Sequence, residues 1–120
     1  MAVAGVRITT DLDLVEMPEI AYKDIREAVG GTIQHIALRG AFKGLALYIH
    51  DEGKLIGLPF NDIATAIWEA SYGKTDVILG DVVLVSNKTD DEGNELPLSE
   101  SDVEAFLKAT EQAVLAYASN

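Results

Sequence analysis

Two histidines, His35 and His50, and a run of acids from Asp90 to Glu104 are the side chains of this chain best suited to chemistry. If a turn around Phe42 folds their strands back on one another, the two imidazoles become a directly opposed cross-strand pair. Such a pair can begin a metal site, with a carboxylate such as Asp51 as third ligand, or titrate near neutral pH. Histidines on strands more commonly sit at a sheet surface with neither role, and no metal is expected. The acids Asp90, Asp91, Glu92, Glu95, Glu100, Asp102 and Glu104 follow one another without an intervening base. An EF-hand needs oxygen ligands at alternating positions around a fixed glycine and a closing Glu, and this spacing does not supply them. The run is therefore either a solvated loop and helix start or a contact surface for a basic protein. In the second case Asp91, Glu92, Glu95, Glu100 and Glu104 would carry the contact.

A third candidate lies at the helix expected to begin after Asn61. Helix N-termini offer free N–H groups and positive potential to an anion. Asn61 and Thr65 add polar side chains there, and Trp68 can stack on a ring, so these three form a candidate small-ligand site. Asp62 places a negative charge where an anion would bind, and Asn61 is fully accounted for as a helix cap. Gly73-Lys74-Thr75 resembles the end of a phosphate-binding loop. The glycine required five residues earlier is Trp68, and a strand follows where a helix is needed. No HExxH, GxSxG or GxGxxG pattern occurs. No catalytic residue and no cofactor are assigned, and an enzyme is not the expected reading.

Composition narrows the classes further. A chain of 120 residues is expected to form one α+β domain over 1–120, large enough to bury a core without staples. With no cysteine, disulfides and thiolate metal sites are excluded. The net charge is −11: residues 1–60 hold 8 acids and 6 bases, and residues 61–120 hold 12 acids and 3 bases. That field repels phosphate backbones, so no direct nucleic-acid partner is expected. No apolar run approaches the ~20 residues that span a bilayer, so no membrane partner is expected either. The N-terminal stretch has no basic segment leading into an apolar one, and a cytoplasmic location follows as the expectation. With 48% hydrophobic residues, a self-associating surface or exposed sheet edge makes a homo-oligomer plausible.

The elements that must position these residues are legible from periodicity and punctuation. Val6, Ile8, Thr10, Leu12 and Leu14 alternate as a strand or hairpin, ended by Pro18. Ala21, Ile25, Ala28 and Val29 share one face of a short helix, which Gly30-Gly31 stops. Thr32 to Leu38 and Leu45 to Ile49 read as strands around a glycine-bracketed loop. Asp51-Glu52-Gly53 reads as a hairpin turn, Lys54 to Leu58 as the returning strand, and Pro59 as its end. Asn61 caps a helix whose residues Ile63, Ile67 and Ala70 share a face, ended by Gly73. Val77 to Val85 reads as a central strand bent at Gly80. Ser99, with Asp102 three residues on, opens a final helix of about four turns. Its apolar face holds Val103, Phe106, Leu107, Thr110, Ala113, Val114 and Tyr117, and its outer face Glu100, Glu104, Lys108 and Glu111. The expected fold is a mostly antiparallel sheet covered by three helices, in ferredoxin-like β-α-β-β-α-β order plus a C-terminal helix.

Several of these residues form a pattern found elsewhere. Val29-Gly30-Gly31 before a strand, Leu47-Tyr48-Ile49 before Asp51-Glu52-Gly53-Lys54, then Leu58-Pro59, Asn61, Ala64-Thr65 and Gly80-Asp81-Val82-Val83 resemble one family over roughly residues 3 to 107. It is an uncharacterised family of phages, plasmids and actinobacterial or firmicute genomes, catalogued as a domain of unknown function (number 3846). Members often carry proline just after the asparagine, where this chain has Asp62; both suit a first helical turn. The resemblance implies a phage or mobile-element setting and a bacterial host cytoplasm, and it brings no activity, cofactor or catalytic residue. The function expected from all of this is a small acidic accessory protein that binds and modulates a host protein without catalysis. The alternative is a small-molecule or nucleotide binder at Asn61, Thr65 and Trp68.

Overall fold

The computed structural model of the chain describes residues 3–119. Strands β1 (Gly5–Ile8) and β2 (Leu14–Met17) form an N-terminal hairpin, followed by helix α1 (Tyr22–Val29). Then come β3 (Ile33–Ala37), a single 3-10 turn at Gly40–Phe42, β4 (Leu45–His50), α2 (Asp62–Tyr72), β5 (Val82–Ser86) and α3 (Glu100–Ala118). The five strands make one sheet in the order β2-β1-β5-β4-β3. Every pairing is antiparallel. The α+β class, the antiparallel sheet and the three helices are thus as the sequence indicates, and the chain order of elements follows the expected one. The spatial order is distinctive: β5 inserts between β1 and β4, and α1 links the two edge strands by crossing one face of the sheet.

Helices cover both faces. On one, α2 and α3 pack Ala64, Ala66, Ile67, Phe106 and Ala113 against Val6, Ile8, Leu47, Val82 and Leu84. Phe42 and Phe106, both fully buried, meet edge to face there with ring centroids 6.5 Å apart. On the other face α1 sets Ile25, Ala28 and Val29 against Ala46, Val83 and Val85. Burial on both faces explains why β5, VVLVS, is buried at every position and has lost the alternation of a half-exposed strand.

Three local expectations are corrected. Residues 51–57 form turns, and no strand returns from Asp51-Glu52-Gly53. The flanks of β4 are already taken by β3 and β5, so a hairpin partner has no edge to join. Gly53 is buried beneath Leu58 and the Leu79 carbonyl, and the positive φ of this region falls at Gly57 (67°). The apolar run from Val77 is not one strand. Gly80, at φ 83°, breaks it, and residues up to Leu79 run beside Phe60 before β5 begins at Val82. Finally, His35 lies opposite Tyr48 and His50 opposite Ile33, so the imidazoles are not a directly opposed pair.

The helix boundaries follow their caps. Ser99 Oγ accepts from the Asp102 N–H and the Asp102 carboxylate accepts from the Ser99 N–H, each at 3.0 Å. Ala21 has no side chain to cap α1, and Asp24 accepts from its N–H at 3.1 Å. On α3, Phe106, Thr110 and Ala113 are buried, while Leu107 of the expected apolar face is exposed. On α2 the buried set is Ala64, Thr65, Ala66 and Ile67; Ala70, expected beside Ile63 and Ile67, is exposed.

Candidate functional site

Asn61 is fully buried and every polar atom of its amide is engaged. Its Oδ1 accepts from the Ala64 N–H at 2.9 Å, capping α2. Its Nδ2 donates to the Ile8 carbonyl at 3.0 Å and to the Gly80 carbonyl at 2.9 Å. One side chain therefore ties α2 to the end of β1 and to the approach to β5. Thr65 is also buried, and its Oγ1 accepts from the Ile78 N–H at 3.0 Å. Trp68 is half-buried; its Nε1 donates to Thr75 Oγ1 at 2.9 Å and its ring packs on Tyr72, with centroids 4.6 Å apart. Asn61 and Thr65 are thus turned into the fold, and of the three expected ligand contacts only Trp68 borders an open cleft.

That cleft, of about 200 Å³, lies between strands β3 and β4, Trp68 and the turn after β4. Ile36, Ile49 and Trp68 give it apolar walls, and its polar lining is Gln34, His50, Asp51, Glu52, Lys54 and Asp76. Lys54 is ion-paired with Asp76 at the rim. The hydrogen bond from Lys54 holds the Asp76 carboxyl below its usual range, against the opposing effect of burial. Sequence periodicity cannot reveal this cleft, because its walls come from four separate segments. Of the two histidines, His50 lines this cleft and His35 is exposed on the other face of β3. His50 is buried, with Nδ1 accepting from the Glu52 N–H at 2.9 Å. His35 stands edge-on to Tyr48 at 5.1 Å between ring centroids. Among the described residues, no group of three or more His, Cys, Asp or Glu side chains is arranged to hold a metal ion.

The acids separate into three places. Asp91 and Glu92 are exposed on a turn organised by Asp90, whose carboxylate accepts from the Glu92 and Asn94 N–H groups, each at 2.9 Å. Glu95 is half-buried and accepts a hydrogen bond from the Tyr48 hydroxyl, on the side of the sheet that α1 covers. Burial, and then this carboxylate, push the Tyr48 hydroxyl well above the usual tyrosine range. Glu100 and Glu104 stand exposed on the first turns of α3. They rim a groove of about 570 Å³ whose apolar lining is Val3, Leu98, Val103 and Leu107. Leu107 is 49% exposed within it. The expected contact surface is therefore not continuous. Its coherent part is Glu100 and Glu104 over an apolar floor, negative charge beside exposed apolar surface. Leu107 at helical spacing reads as core in the sequence, so the groove was hidden behind an apparently satisfied apolar face.

Most residues of the recognisable pattern have structural tasks. The Arg7 guanidinium grips Asp81 Oδ2 at 3.0 and 2.7 Å, and Asp81 Oδ1 accepts from the Thr10 N–H at 3.0 Å, locking the first hairpin to the start of β5. Gly80 takes a positive φ and packs directly on Leu58, and its N–H donates to the Pro59 carbonyl at 2.6 Å. Gly31 leaves room for the His50 ring, which a Cβ there would meet at 2.5 Å.

No helix among the described residues is long and apolar enough to cross a membrane. The chain matches no curated protein and no solved structure. A family model does match residues 3–111, which takes in the whole span of the pattern around Asn61 and Gly80-Asp81, and the chain belongs to that family, Domain of unknown function (DUF3846).

Proposed function

We propose that this protein acts by binding, taking a basic amphipathic segment of another protein into the groove at the start of α3. The supporting observation is the pairing of exposed Glu100 and Glu104 with the apolar lining of Val3, Leu98, Val103 and Leu107. A helix or extended segment carrying Lys or Arg beside Leu- or Ile-type anchors satisfies both parts at once. The −9 charge of residues 61–120 steers such a partner from a distance. In the setting the family resemblance implies, the protein is a phage or mobile-element accessory factor in the bacterial cytoplasm, and the partner is a host protein whose activity it modulates. The small-ligand alternative keeps only Trp68 of its three contacts.

The test is capture of host proteins on immobilised wild-type chain and on the double variant Glu100→Lys/Glu104→Lys, at low and at high salt. Expected is a basic protein retained by wild type at low salt, and lost both at about 0.5 M salt, where screening falls to a few ångströms, and on charge reversal. Capture indifferent to salt and to both substitutions would remove the proposal.

A further inference from the structure

We propose that two copies of this chain associate through β3, edge to edge and antiparallel, about a two-fold axis at Gln34. The two edges of the sheet are built differently. At β2, Glu16 lies within the strand, Asp13 and Glu19 flank it, and Pro18 follows, all features that discourage strand addition. At β3 the residues are Ile33, Gln34, His35, Ile36 and Ala37: no acid, no lysine and no proline. In a chain of net charge −11, pairing through β3 opposes no strand carboxylate, where β2 would bring Glu16; the nearest acids, Asp51, Glu52 and Asp76, line the adjoining cleft together with Lys54.

Backbone geometry selects the register. Thr32 O accepts from the Asp51 N–H and the Leu38 N–H donates to Leu45 O. By alternation, Gln34 and Ile36 also face β4, so Ile33, His35 and Ala37 direct their backbone groups outward. The Ala37 carbonyl is already taken by the Tyr72 hydroxyl. Ile33 and His35 remain, and antiparallel pairing of Ile33 with the other copy's His35 places Gln34 opposite Gln34 on the axis.

The same axis brings together exposed apolar surface. Gln34 and Ile36 line the cleft that Leu55 and Val77 also line, and those two are 86% and 41% exposed. Gln34 and Ile36 are the cleft residues on β3 itself, so the two clefts open toward one another on the same face across the axis. The two Gln34 amides are self-complementary there, each carrying both donors and an acceptor.

This surface is separate from the groove on α3, so either proposal can fail alone. The experiment uses the whole chain. Sedimentation equilibrium is expected to show a concentration-dependent species of twice the 12.9 kDa chain mass. Because the chain has no cysteine, Gln34→Cys supplies a single thiol at the axis. Opposed residues of a non-hydrogen-bonded pair lie ~4.5 Å apart between Cα atoms, within disulfide reach. Mild oxidation is expected to convert Gln34→Cys to a covalent dimer, while Glu111→Cys, on the outer face of α3, stays a single chain. Gln34→Glu, of nearly the same shape, sets two carboxylates opposite one another and is expected to raise the dimer dissociation constant about fivefold. A native chain that sediments as a monomer throughout overturns the proposal. So does oxidation of Gln34→Cys no faster than Glu111→Cys, or a dimer untouched by Gln34→Glu.

Discussion

Asn61 illustrates how a residue can look functional and be structural. An asparagine before an apolar helical run is a cap on sequence grounds, and its Oδ1 caps α2 as expected. What local reasoning does not reach is the amide nitrogen, which bonds carbonyls 53 residues before and 19 residues after it. Removing that side chain costs a cap and leaves two buried carbonyls short of a donor. Asn61→Ala is therefore expected to lose about 2–4 kcal/mol of unfolding free energy. Thr65→Val, which strands the Ile78 N–H, is expected to lose about 1–3 kcal/mol. Urea unfolding followed by Trp68 fluorescence measures both; losses of a few tenths would mean that these hydrogen bonds are not integral to the fold. Gly53 shows the converse. The sequence assigns it the positive φ of a turn, which the structure gives to Gly57 instead, and a Cβ at Gly53 would meet the Leu79 carbonyl and Leu58 only at ordinary contact distances of 3.4 and 3.5 Å.

At the scale of elements, caps and breakers are the reliable signals. Ser99 and Asp102 open α3 as read, and this cap has a measurable pH signature. Partial burial pushes the Asp102 carboxyl up, but the Ser99 N–H and hydroxyl and the Lys88 charge outweigh it, so its pKa is lowered in the folded chain. A lowered folded pKa contributes stability that is present above the unfolded value, near 4, and is lost as pH falls through the folded value. Asp102→Asn is thus expected to cost roughly 0.5–1 kcal/mol at pH 7, and the cost should vanish as pH falls below the lowered folded value. Ser99→Ala is expected to cost about 1 kcal/mol. Thermal unfolding of both variants across this pH range checks it, and an Asp102→Asn deficit that persists in acid would count against the cap's electrostatic part. The strand expected at Lys54 to Leu58 failed for a reason outside the element. Its pattern is compatible with a strand, but β5 had the stronger claim on β4 because both of its faces are buried.

For the whole molecule, charge and topology act together. Twenty acids against nine bases make a compact chain repel itself, most strongly around α2 and α3. Added salt is expected to raise the thermal midpoint at pH 7, and the gain should disappear near pH 4.4, where the net charge vanishes. Differential scanning calorimetry at two salt concentrations and both pH values decides it; a midpoint at pH 7 that does not rise with salt would show self-repulsion to be negligible. The proposed basic partner of the groove and the proposed pairing of two copies at β3 both draw on that imbalance.

The sequence by itself determined the α+β class, the antiparallel sheet, the three helices, the caps at Asn61 and Ser99 and the membership in the family. These rest on local quantities, namely periodicity, capping side chains and glycine or proline backbone preferences, which neighbours in the chain largely set. Tertiary structure alone decided that β5 enters between β1 and β4, that His35 and His50 miss one another, and that Asn61 and Thr65 face inward. It also separated Glu95 from Glu100 and Glu104. Each of these depends on which distant segment reaches a strand edge or a buried hydrogen-bonding group first. That competition is settled by burial over the whole chain, and spacing along the chain does not record it.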